Sequence, residues 1–132
     1  MEENDYAKSL VNELKSRHPM EALTLSPMLS AISRSHAMDM GKKGTTGHSS
    51  SNGASFADRV RRKVKGGMIG ENCDYGNDTS IDIVMSLLID DGIQSLGHRK
   101  NILDARFHFV GIAIEPHKTY GTNCVMDFAE IL

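Results

Sequence analysis

A chain of 132 residues with 39% hydrophobic content has the length and apolar fraction of one globular domain, 1-132, that buries a core without metal or disulfide staples. Its 15 Lys and Arg against 17 Asp and Glu give a net charge of -2, so no global field draws it toward nucleic acid or an anionic membrane. No apolar run reaches the roughly 20 residues that span a bilayer, and the acidic opening MEENDYAKSL is unlike a signal peptide, so export is not legible there; a leader already removed would leave the same start.

In chain order, Tyr6, Leu10 and Leu14 with Val11 beside them predict an amphipathic first helix ending near Pro19. Ser26 before Pro27 reads as an N-cap and first helical residue, and Leu29, Ile32, His36 and Met40 share a stripe that stops at Gly41. The small polar run TTGHSSSNG is a loop that carries His48. Ser55 and Asp58 have capping-box spacing, with Phe56, Val60 and Val64 on one helical face before Gly66 and Gly67. A short strand is expected over residues 70–75. Thr79 and Asp82 repeat the capping spacing, and IDIVMSLLI, apolar nearly all round, is expected to be a central helix. FVGIAIEP and NCVMDFAEI, joined by HKTYGT, should pair as an antiparallel hairpin. Helices early and strands late make this an α+β domain with an antiparallel sheet.

Motifs exclude more than they assign. GxGxxG, the P-loop, HExxH, CxxC and GxSxG are all missing, so no nucleotide or organic cofactor is expected. GGMIG reads as a turn, since no basic or hydroxyl residue follows it as a phosphate cradle requires. RVRRKVK, whose apolar members fall on the Phe56 stripe, is expected to be a solvated helix face; without interleaved aromatics, nucleic acid is not an expected partner. His36 on its apolar stripe is expected to be a core or pocket-edge imidazole with one hydrogen bond, and His18, His108 and His117 boundary or surface residues. His48 and His98 each follow a glycine in a polar stretch able to present an imidazole to a cavity, whereas Glu71 alone suggests only a salt bridge. Arg99 is able to clamp Asp90, Asp91 or a strand-end carbonyl with parallel bonds. Cys73 and Cys124 are either two buried thiols or one long-range disulfide.

Taken together, AISRSHAMDM, GHSSSNG, GEN at Gly70 to Asn72, DDGIQSLGHRKNIL and the two final strands resemble, in order, the CAP superfamily of cysteine-rich secretory, antigen-five and plant pathogenesis-related proteins, especially its short microbial members. The resemblance spans residues 6 to 129. It implies a three-layer α-β-α sandwich whose cleft holds two histidines and two acids. These transfer to His48, Glu71 and His98, with Asp90 or Asp91 as the fourth group and Asn72 and Arg99 in support. It also implies an extracellular or cell-surface location.

Such a set suits a divalent ion, zinc first, or acid-base chemistry. The favoured function is capture of a small lipid or peptide-like ligand, or of a protein partner, with a metal-dependent or His-assisted hydrolase as the alternative. Ser49, Ser50 and Ser51 beside His48 do not make a triad by adjacency. The bland alternative is a set of polar groups that merely pins helices to the sheet. A lipid groove would need helix one or the Met-rich helix two, whose methionines more simply fill core. Trp, a Cys-rich extension and an aromatic after His98 are missing relative to larger members, so sterol binding or channel toxicity does not carry over.

Overall fold

The computed structural model describes residues 3–132. Helix α1 (Glu3–Ser16), strand β1 (Thr24–Leu25), α2 (Pro27–Lys43), α3 (Phe56–Arg61), β2 (Ile69–Tyr75), α4 (Ser80–Ile89), α5 (Gly97–Leu103), β3 (Phe109–His117) and β4 (Gly121–Ala129) follow one another. The strands lie in the order β1-β3-β4-β2. Both contacts of β4 are antiparallel, with β3 and with β2, whereas β1 runs parallel to β3. The sheet is therefore mixed rather than wholly antiparallel. The cause is connectivity: β1 is joined to β3 through most of the chain and not by a hairpin, and Thr24 N–H and Ser26 N–H donate to His108 and Val110 carbonyls.

Alternation along β4 builds the sandwich. Cys124, Met126 and Phe128 pack with Ile83 and Leu87 of α4, while Val125 and Ala129 meet α2 and α3 through Ala37, Leu29 and Val60. α2 is the helix that crosses the sheet most closely. Gly111 of β3 makes this possible, because a Cβ there would collide with the Leu29 carbonyl carbon. Gly41 does the same further along, where a Cβ would run into the Pro116 carbonyl oxygen. The helix therefore continues through Gly41 and ends at Gly44, a left-handed C-cap whose N–H returns to the Met40 carbonyl.

The N-caps follow the sequence. Ser26 accepts from Leu29 N–H, Ser55 and Asp58 form the reciprocal capping box, and Thr79 accepts from Asp82 N–H. α3 ends at Arg61, earlier than its apolar stripe suggests, although Val64 is still buried beside Val60. The expectation of a central α4 is not met. Ile81 is 66% exposed and only Ile83 and Leu87 are buried, so α4 covers one outer face while α2 holds the middle. Cys73 and Cys124 are free and buried, and they form no disulfide. The register pairs Cys73 with Val125 and Asp74 with Cys124, so the two thiols leave the sheet on opposite faces.

Candidate functional site

β2 is an edge strand, and its alternation sends Glu71 and Cys73 toward α2 and Asn72 and Asp74 toward α4 and α5. On the α2 side the Glu71 carboxylate is enclosed. His48 Nδ1 lies 2.8 Å from its Oε1, and Arg59 donates from Nη1 to Oε2 and from Nη2 to Oε1, both at 3.0 Å. Arg59 also holds the His48 carbonyl at 2.8 Å, which fixes the loop that carries the imidazole. Beneath Glu71, across the ladder, lies fully buried Asp127, whose Oδ2 accepts from Ser33 at 2.8 Å.

Two adjacent buried carboxyl groups cannot both ionise cheaply, so one proton divides them. Burial opposes the charge on Glu71, but hydrogen bonds from His48, Asp127 and Arg59 and the Arg59 charge bring its pKa from 4.5 down to about 2. Burial, followed by the hydrogen bond and charge of Glu71, pushes Asp127 up to about 9. Asp127 is thus the acid that donates and Glu71 the carboxylate that accepts.

On the opposite side, Asp90 closes α4 in the left-handed region at φ 55. Its Oδ1 meets His98 Nδ1 at 2.8 Å, and its Oδ2 accepts from the backbone N–H of His98 at 2.9 Å. Asp90, and not Asp91, is the carboxylate on His98; Asp91 is exposed. Asn72 donates to the His98 carbonyl at 3.0 Å and accepts from Asn101 at 2.9 Å, tying β2 to α5. Among the described residues, the non-glycine positions with positive φ are Asp90 and Leu96, which bracket the segment presenting this pair.

The Arg99 guanidinium does not hold an Asp at all. It donates to the Leu88 and Ile89 carbonyls at the end of α4, to Tyr6 O and to Ser9 Oγ, and so fastens α1 to α4. His117 also departs from expectation. It is buried, with Nε2 2.8 Å from Thr45 O and Nδ1 accepting from Thr119 and Tyr120 N–H, and it locks the β3–β4 turn.

The structure therefore brings together His48 with Glu71, and His98 with Asp90, as two separate pairs. Cys73 touches the first pair, 3.8 Å from both His48 Nδ1 and Glu71 Oε1. It also lines a cavity of about 790 Å³ shared with Asp74, Leu87, Asp90 and His98. A nitrogen of His36, a Glu71 oxygen and Cys73 Sγ lie within 4.8 Å of one another, a group able to hold a metal ion to which His98 does not belong. His36 makes the one expected hydrogen bond, Nε2 to Gly47 O at 2.8 Å, and burial lowers its pKa.

Arg59, Asp127, Ser33 and Cys73 were not legible as site residues. Arg59 was hidden in the basic run, and contrary to a wholly solvated face it turns inward beside the buried Val60. Arg61 likewise caps the Gly66 and Gly67 carbonyls of the GGMIG turn. Asp127 did carry a signal, an ionisable side chain interrupting the apolar run CVMDFA.

Nucleophilic catalysis lacks its geometry. Cys73 and Glu71 both approach the same nitrogen of His48, whereas a relay needs one on each side of the ring. Burial and the Glu71 charge also push the Cys73 thiol well above its ordinary range, away from thiolate. The Ser51 hydroxyl goes to Asp39 at 2.6 Å instead of an imidazole.

The helices packed on both faces of the mixed sheet form a three-layer α-β-α sandwich, with an imidazole–carboxylate pair on each side of its edge strand. The sequence profile described as the cysteine-rich secretory protein family, CAP, matches residues 8–128, and the chain belongs to that family. None of the curated proteins matches it in sequence. Among solved structures it is similar to an outer surface protein from Borrelia burgdorferi, with TM-score 0.71, 15% identity, and coverage of 96% of this chain and 90% of that one. It is also similar to an extracellular SCP-domain protein from Bacillus anthracis, with TM-score 0.68 and 24% identity; there the match covers 96% of this chain but only 40% of the other. Among the described residues no helix is long and apolar enough to cross a membrane.

Proposed function

We propose that residues 1-132 are a single CAP domain that works outside the cell or at its surface as a binding module, taking a small lipid or peptide-like ligand or a segment of a protein partner. The observation that carries this is the cavity of about 790 Å³ onto which the Asp90–His98 pair, Cys73 and Asp74 open beside apolar Leu87, Ile89 and Ile93. A lining of both polar and aliphatic side chains suits an amphipathic guest. The extracellular setting draws on the outer-surface and extracellular proteins of like fold. A divalent ion, zinc by the softness of the imidazole and thiol donors, belongs with His36, Glu71 and Cys73 on the α2 side of β2, of which only Cys73 lines that cavity.

Hydrolysis has less support, because among the described residues no activated nucleophile stands beside either imidazole. Amide chemical-shift mapping against fatty acids and short peptides tests the binding reading. Shifts centred on residues 73–74 and 86–98 are expected, and their loss in His98→Ala confirms the cleft. Shifts confined to the Met28, Ile32 and Arg62 groove between α2 and α3 would overturn it.

A further inference from the structure

Unsatisfied polar atoms gather at one place in this molecule. Of the buried side-chain atoms without a hydrogen-bond partner among the described residues, His36 Nδ1, Arg59 Nε and Asp127 Oδ1 all belong to the surroundings of Glu71. The Asp127 atom belongs to a carboxyl that pairs with Glu71 in the ladder and whose pKa burial raises. His36 is not so explained. Only 1% exposed, it gives its Nε2–H to the Gly47 carbonyl, which leaves Nδ1 as a bare lone pair in the interior. One ring nitrogen of His36, the Cys73 thiol and a Glu71 oxygen, all within 4.8 Å of one another, are donors suited to a borderline-soft cation. The group now neutralising the carboxylate is another cation, Arg59, held at 3.0 Å on both oxygens yet with its own Nε unpaired.

We propose that His36, Glu71 and Cys73, with His48 at the open side, form a binding site for one thiophilic divalent cation, and that the cation and the Arg59 guanidinium compete for Glu71. The proposal rests on the metal part of the function given above, and names its donors and its internal competitor. When the ion binds, the Cys73 S–H bond breaks, a metal–sulfur bond forms, and the proton leaves to solvent; nothing is oxidised or reduced. Arg59 gives up Glu71 and keeps the His48 carbonyl as its remaining anchor. A chain so arranged is folded without metal, because the guanidinium supplies the charge that the ion would otherwise bring.

Cadmium is the probe, since its thiolate complex absorbs in the ultraviolet and reports sulfur ligation directly. Titration of the full chain at neutral pH should give a charge-transfer band that saturates at one equivalent. Cys73→Ser should abolish the band, Cys124→Ser should retain it, and Arg59→Gln should tighten binding at least tenfold. No band with the wild-type chain, or a band that survives Cys73→Ser, overturns the proposal. An Arg59→Gln affinity equal to wild type overturns the competition. Binding that is lost in His98→Ala but kept in Cys73→Ser would put the ion in the other half of the cleft, leaving the proposed binding function standing and this site refuted.

Discussion

The two imidazole–carboxylate pairs look alike in separation, 2.8 Å each, yet they are built from different materials. Glu71 depends on side chains from across the chain: Arg59 from α3, His48 from a loop, and Asp127 from the adjoining strand. Asp90 depends on local backbone, because it closes α4 and accepts the backbone N–H of His98, the same residue whose imidazole it meets. A carboxylate held by distant charges is costly to strip of them, whereas one held by nearby amides loses little more than a cap.

The largest test of that difference is Arg59→Met. It leaves the 1%-exposed Glu71 carboxylate buried without its cation, and a loss of about 3–5 kcal/mol in urea unfolding at pH 7 is expected. Asp90→Ala, measured the same way, should cost about 2 kcal/mol, with Asp90→Asn recovering part of it by tolerating the left-handed backbone. Equal losses at the two positions would remove the distinction.

The proton shared at the Glu71 end sharpens the comparison through pH. Asp127 has a folded pKa raised from 3.8 to about 9, so its contribution is full below 3.8 and falls as pH rises toward 9. Glu71, depressed from 4.5 to about 2, contributes above 4.5 and loses that contribution as pH falls toward 2. Wild-type stability should therefore decline on both the acid and the alkaline side. Asp127→Asn should flatten the alkaline limb and gain about 1 kcal/mol at pH 8, read from unfolding midpoints across pH. The smallest effect belongs to His48→Ala. With the imidazole 52% exposed, its removal should change stability by less than about 0.5 kcal/mol in the same assay.

The same contrast explains what the sequence revealed. Local devices were readable: the Ser26–Pro27 start, the Ser55/Asp58 box, the Thr79 cap and the hairpin, because each is a contact between residues a few positions apart. Of the site, the two histidines and Glu71 came from an ordered set of landmarks, and Asp90 was narrowed to two neighbours. Arg59 and Asp127 stayed hidden because their meaning depends on the β2–β4 register and on which face of α3 meets the strand, neither of which is encoded near them. His117 failed for a like reason, since its burial is set by the Thr45 carbonyl at the far end of α2. The apolar fullness of α4 suggested enclosure on all sides, but the closest approach to the sheet went to α2, which carries Gly41 and lies over Gly111.

Those two glycines set how closely helix and sheet approach. With backbone seated on backbone towards both ends of α2, the helix and the β3–β4 hairpin form one closely packed block. The 44–55 loop and the 90–96 turn, which carry His48 and lead into His98, lie outside that block and are fastened by side-chain hydrogen bonds instead.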